Sequence, residues 1–317
     1  MKPAAVVILL AVGCVVQAQG PPPGKALEPE AFRLTVDVDL VVLQATVRDS
    51  GGHAVPRLGQ QDFEVFEDGR PQAIRLFRHE DTPVTVGLVI DHSGSMSTKL
   101  GDVTAGAEAF VHSSNSHDQM FVVNFNDTVS LGLSARMPFS DSVEQLKAAI
   151  WRAPAIGTTA LYDAIIEALR RLREGASDKK VLIVISDGAD NASKAGLDRV
   201  LKTAEQSSAM IYAIGIFDAD DPDANPKVLR RLAHETGGEA FFPEQLKESA
   251  EICERIARDI RDQYTIGYSS ANAKRDGAYH KVRLTARVHE NGTLSVRTRA
   301  GYSSGTELPP EKGPVSK

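Results

Sequence analysis

Residues 87–98 read GLVIDHSGSMST. The apolar run from Val86 to Ile90 stops at Asp91, and Ser93 and Ser95 follow at intervals of two. A run this apolar, without alternation, reads as a strand covered on both faces, as in a parallel sheet between helices. Such sheets bind ligands outside the carboxyl ends of their strands. Three small oxygen-bearing side chains at one such end therefore bear on the fold and on its chemistry together. In an extended loop the Asp-x-Ser-x-Ser spacing turns alternate side chains the same way.

Outward from this stretch the grammar repeats. Leu100, Val103, Ala107, Phe110 and Val111 recur at helical spacing. Met120–Phe125 reads as a strand, and Asn126-Asp127 turns it into an antiparallel edge over Thr128–Leu133. Helices are expected around Leu146, around Leu161–Leu172 and around Leu197–Ala204, with buried strands at Val181–Ile185 and Met210–Ile216 between and after them. Asn225-Pro226 caps a further helix that Gly237-Gly238 ends. A short strand at Ala240–Phe242 and a last helix through Leu246, Cys253 and Ile260 complete the series. Alternating strands and helices imply an α/β fold, a doubly wound and mostly parallel sheet of Rossmann-like type, here over residues 81–262.

The flanks follow a different grammar. Before residue 81, Leu34, Val36, Val38 and Leu40 alternate with polar residues, and the alternating run Asp62–Gly69 ends in an Asp68-Gly69 turn. After residue 262, Tyr264–Tyr268, His280–Val288 and Thr293–Arg299 are expected strands. Each set is too small for a sheet core of its own. Residues 32–80 and 263–302 are therefore expected to pair into one antiparallel β-sandwich, with the α/β domain inserted between them; the alternative is two hairpins flanking that domain. The polar, Pro/Gly-rich tail 303–317 is expected to be disordered.

The first residues, MKPAAVVILLAVGCVVQAQG, have one lysine, a short apolar core and a small residue before a cut after Ala18. Residues 1–18 thus read as a secretory signal peptide and 19–31 as a Pro/Gly linker. A lipoprotein signal that anchors the chain through Cys14 is the alternative. Either way a secreted or periplasmic protein is expected, with no transmembrane segment. Cys14 and Cys253 are the only cysteines, so cleavage leaves no internal disulfide. A net charge of −6 argues against nucleic acid as a partner, because phosphate binding needs a basic face.

Two further segments are expected at the same sheet edge as Asp91: Val184-Ile185-Ser186-Asp187-Gly188, and the loop Gly157-Thr158-Thr159-Ala160-Leu161 entering a helix. Carboxylates and hydroxyls without a thiol or inward imidazole suit Mg²⁺, Mn²⁺ or Ca²⁺ and disfavour zinc. The candidate ligands are Asp91, Ser93, Ser95, Thr159 and Asp187, with Thr158 as fallback for Thr159; the competing reading of both threonines is helix capping.

Asp91-His92-Ser93-Gly94-Ser95, Thr159 and Asp187 resemble the metal-ion-dependent adhesion site of von Willebrand factor A-type domains. The flanks VDVDLVVLQATVRDSGGHAVPRLGQQDFEVFEDG, YTIGYSS and RTRAGY resemble those of a bacterial family of secreted proteins related to these domains. The resemblance implies one divalent cation, Mg²⁺ first, in a protein-binding site that coordinates an acidic side chain of a partner. Family loops commonly have Gly-Gly-Thr where this chain has Gly157-Thr158-Thr159. A scaffold role with a closed metal site, filled by Asp163 or His92, is the rival. A subtilisin-like hydrolase is not expected, since none of the eight histidines precedes a glycine. No HExxH helix or Walker A loop occurs either.

Four smaller expectations complete the reading. His92 is taken as a surface residue and Cys253 as a buried apolar one. Trp151 and Phe139 are taken as packing residues. Asp218–Asp223 is taken as a solvated loop rather than a second Ca²⁺ site.

Overall fold

The structure is a computed structural model, and it describes residues 40–217, 224–272, 277–287 and 294–304. All of these belong to the unit Asp39–Lys317. The expected signal peptide, the linker, the loop Asp218–Asp223 and the tail beyond Ser304 lie outside the described residues.

Strands β1 (Leu40–Arg48), β2 (Phe63–Glu67), β3 (Arg70–Gln72) and β4 (Ile74–Arg78) come first. The α/β part runs β5 (Val84–Asp91), α1 (Leu100–Ser113), β6 (Gln119–Phe125), β7 (Val129–Leu131), α2 (Val143–Ile150) and α3 (Leu161–Leu172). It continues through β8 (Lys179–Ser186), α4 (Leu197–Ser207), β9 (Met210–Gly215), α5 (Pro226–Thr236), β10 (Ala240–Phe241) and α6 (Glu248–Arg261). Strands β11 (Tyr264–Ser269), β12 (Tyr279–Ala286), β13 (Ser295–Arg297) and β14 (Gly301–Ser303) close the chain. The last of these was not expected: a three-residue strand carries too little alternation to be seen in sequence.

The central sheet has six strands in the order β10-β9-β8-β5-β6-β7. Only β7 runs antiparallel to its neighbour. Every residue of β5 and of β9 is buried, as expected of strands covered on both faces. Helices α1, α2 and α6 pack together, as do α3, α4 and α5, so the sheet is sandwiched between two helical layers. Sequence and structure agree at the caps of α5. Asn225 Oδ1 accepts from Val228 N, and Gly237 closes the helix at φ 81°.

The topology fixes where a ligand can sit. From β5 the chain first winds to β6 on one side, then crosses back to β8 on the other. The sheet therefore reverses its winding at β5, and the carboxyl ends of β5 and β8 border the resulting crevice. Their register, Ile90 opposite Ile185, brings Asp91 and Ser186 to one level.

The other strands form two four-stranded antiparallel sheets, β13-β1-β11-β4 and β14-β12-β2-β3. Each draws strands from both ends of the chain. One core cluster joins them, in which Leu43, Val47, Tyr264 and Ile266 of the first sheet meet Phe63, Val65, Val282 and Leu284 of the second. The Phe63 and Tyr264 rings lie 5.0 Å apart.

Candidate metal centre

Strand β5 carries Asp91 into the crevice with no exposed surface, and Asp187 follows β8 nearly as buried. The Asp91 carboxylate accepts from Ser93 N at 2.8 Å and from Ser186 Oγ at 2.6 Å. Asp187 accepts from Ser95 Oγ at 2.7 Å and from Ala189 N at 3.0 Å. Ser93 Oγ and Ser95 Oγ are 3.1 Å apart. One connected chain of oxygens thus runs Ser93–Ser95–Asp187, and Ser93 N joins it to Asp91.

The third segment is tied in through its backbone. Gly94 N donates to Gly157 O at 3.1 Å, which docks the 157–159 loop on the serine turn. Gly157 has φ +84°, and a Cβ there would lie 2.9 Å from Asp127 Oδ1, so the turn requires glycine. Thr159 N donates to Asn191 Oδ1 at 2.8 Å, while Thr159 O accepts from Asn191 N and Ala192 N. Thr159 is 3% exposed, and its hydroxyl makes no hydrogen bond with another described residue.

Electrostatically the cluster is unbalanced. Burial, together with the charge of Asp187 beside it, pushes the Asp91 carboxyl up to about 6 against the bonds from Ser186 and Ser93. The hydrogen-bond partners of both carboxylates are hydroxyls and amides rather than cations. Two adjoining buried carboxylates and the hydroxyls linked to them form an all-oxygen donor set, beside which the Thr159 loop is docked through its backbone. A hard divalent cation fits such a set.

The family model for the von Willebrand factor type A domain matches residues 85–255, more than half of the chain. The chain belongs to the von Willebrand factor type A family. No curated protein matches it. Among solved structures, a von Willebrand factor type A protein from Catenulispora acidiphila is 17% identical at a TM-score of 0.50, covering 78% of this chain and 74% of that one. Proximal thread matrix protein 1 from the mussel byssus, with a zinc-occupied MIDAS motif, is 17% identical at a TM-score of 0.50, covering 60% and 48%. At these identities the likeness is one of fold.

Around the von Willebrand factor type A crevice the structure corrects several expectations. His92 is not on the surface. It is fully buried, its Nε2 lies 3.1 Å from Asn124 Oδ1, and burial lowers its pKa below the usual imidazole range. Strand β6, paired with β5, brings Asn124 against the ring. Trp151 is half exposed rather than packed, whereas Phe139 packs edge-on against Phe121. The amides at the start of the helix that follows Thr159 are engaged. Helix α3 begins at Leu161, where Tyr162 N donates to Asp190 Oδ1 and Asp163 N to Ser193 Oγ. Neither threonine caps it.

Ser186 and Asn191 went unmarked in the sequence. Ser186 offered a signal, a lone hydroxyl closing an apolar strand, but its partner Asp91 lies 95 residues away. Gly301-Tyr302-Ser303-Ser304-Gly305 spells the Gly-x-Ser-x-Gly pattern of a hydrolase elbow. Its serine ends an antiparallel strand instead of a strand–helix turn, and its Oγ faces Glu205 rather than a histidine. Elsewhere in the described residues, Glu67, Asp68 and His280 of the sandwich bring ligand atoms within 4.8 Å of one another. The Glu67 carboxylate there already accepts the hydroxyls of Tyr268, Tyr302 and Ser270, which fastens the two sheets together.

Proposed function

We propose that Asp91, Ser93, Ser95, Thr159 and Asp187 hold one divalent cation, Mg²⁺ first, with Mn²⁺ or Ca²⁺ as alternatives, and that this centre captures an acidic side chain of a partner protein. The observation that carries the reading is the convergence of two buried carboxylates and three hydroxyl residues from three distant segments, with hydroxyls and amides as their neighbours. Neutral hydroxyl ligands leave a bound cation electron-poor, so it would supply a Lewis-acidic position for an outside carboxylate. The chain's part is to hold the oxygens in place. Ser186 Oγ, Ser93 N and Ala189 N fix the two carboxylates, and the Gly94–Gly157 bond keeps the threonine loop against the serine turn.

Two observations favour an adhesion-type role over a closed scaffold. Asp163 accepts from Lys194 N and Ala195 N at 2.9 and 3.0 Å, so its carboxylate is committed to the following loop. His92 is turned to Asn124. Zinc occupies the corresponding motif of the byssus protein, so the ions tested include Zn²⁺. We read the protein as secreted or periplasmic, or lipid-anchored at Cys14. Mass spectrometry of the mature N-terminus distinguishes these. No helix among the described residues is long and apolar enough to cross a membrane.

Titration calorimetry of the full chain with Mg²⁺, Mn²⁺, Ca²⁺ and Zn²⁺ tests the centre. Saturable binding that Asp91→Ala abolishes is expected. Equal heats from the variant and the parent would refute the ligand assignment. Pull-downs from the host with and without EDTA then test capture, and a partner retained equally in chelator would remove the metal-dependent mechanism.

A further inference from the structure

A second recess lies away from the sheet edge that carries Asp91. A cleft of about 690 Å³ opens between α5–β10 of the α/β part and β12–β13 of the sandwich. The chain is acidic overall, at −6, yet this cleft is lined by Arg230, Lys281, Arg283, Arg297 and Arg299 against a single carboxylate, Glu239. That carboxylate is already taken, because Arg297 and Arg255 both pair with it. Among the described residues no carboxylate stands within ion-pair distance of Arg230, Lys281 or Arg283.

The guanidinium groups of Arg230 and Arg283 are held in place without being neutralised. Arg230 lies over the Phe242 ring at 4.3 Å and Arg283 over Phe66 at 4.1 Å. A ring face orients a cation but carries no net charge to cancel it. In the same wall, Arg299 Nε and Thr298 Oγ1 are buried without a hydrogen-bond partner. Buried donors and acceptors are rarely left so in a finished interior. Val282, Leu284 and Val296 add an apolar stretch to the lining.

The backbone adds a third feature. Strand β12 pairs with β2 over Val282–Ala286, but its other neighbour, β14, pairs only over Tyr279–Lys281. Val282 N still donates to Ala300 O at 2.9 Å. Beyond Val282 no strand is hydrogen-bonded to that edge of β12 among the described residues, and β13 runs near it without pairing. An open strand edge takes an extended peptide by main-chain hydrogen bonds, and flanking side chains supply the specificity.

We propose that this cleft binds an extended acidic peptide of a partner protein, with its carboxylates paired to Arg230, Lys281 and Arg283 and its backbone laid along the open edge of β12. Charge and edge together select the ligand. A compact anion would satisfy the arginines but leave the strand edge and the apolar lining unused. This site is independent of the metal centre.

The test is fluorescence anisotropy of the full chain with a labelled peptide of alternating glutamate and leucine, set against an alternating lysine–leucine peptide. Saturable binding of the acidic peptide alone is expected, unchanged in EDTA and weakened by added salt. The double variant Arg230→Glu/Arg283→Glu changes two exposed side chains and should lower the affinity about tenfold or more. Parental affinity in that variant, equal binding of the basic peptide, or absence of saturable binding would each overturn the proposal. So would charge-dependent capture of heparin without capture of the acidic peptide, which would make the ligand a polyanionic sugar.

Discussion

Asp91 shows how much one residue owes to its neighbours. Its position was readable as the end of an apolar strand. Its environment was not, because the hydroxyl that holds Oδ2 comes from Ser186 on the adjacent strand. Ser186 Oγ also accepts from Gly188 N at 3.0 Å, so it stiffens the turn that presents Asp187. Groups that orient metal ligands govern affinity nearly as strongly as the ligands themselves. On the proposed function, Ser186→Ala should weaken Mg²⁺ binding about tenfold or more while the protein stays folded. Calorimetry beside a thermal melt checks this, and parental affinity would show that Ser186 has no orienting role. The misplacement of His92 is the converse case. Between an aspartate and a serine at a strand end an imidazole reads as surface, and only the approach of Asn124 from β6 gives it a buried partner.

At the scale of elements, the long periodic segments were legible and the short ones were not. Helices α3 to α6 carry their apolar residues on one face, and strands β5, β8 and β9 are continuous apolar runs, so each announces its type. Strand β14 has three residues and no such period. Helix α6 shows what packing adds. Its Cys253 lies against Gly106 of α1, where a Cβ would come within 3.2 Å of the sulfur. The small residue allows the two helices to approach closely. Burial pushes the Cys253 thiol up to about 12, far above neutral pH. Iodoacetamide at about pH 8 should therefore leave Cys253 unmodified in the native protein and alkylate it only after denaturation. Peptide mapping reads this, and rapid native labelling would mean that α6 detaches from α1.

At the scale of the whole molecule, a shared polar network joins the α/β part to the sandwich. Asp259 of α6 accepts two bonds from Arg48 of β1, at 2.5 and 2.6 Å, and stands 3.5 Å from Arg297 of β13. The Asp259 side chain is only 5% exposed. Removing one member of a buried ion pair leaves the others desolvated and uncompensated, at a cost of about 3–5 kcal/mol. Asp259→Ala should lower stability by that order, and the cost should fall on both parts because the network touches both. Urea unfolding followed by far-UV dichroism and tryptophan fluorescence tests this. A loss under about 1 kcal/mol would show that solvent already screens the network.

The sequence by itself determined the class of fold and the segments that meet at the sheet edge. Apolar period and cap residues act over a few neighbours, and the chain displays them locally. The winding order that places β8 beside β5 was settled only by the tertiary structure. So were the union of strands from both ends of the chain in each outer sheet, the orienting roles of Ser186 and Asn191, and the cationic cleft beside β12. Each of these depends on contacts between residues far apart in the chain, and local periodicity carries no information about which distant partner a strand edge or a buried hydroxyl will meet.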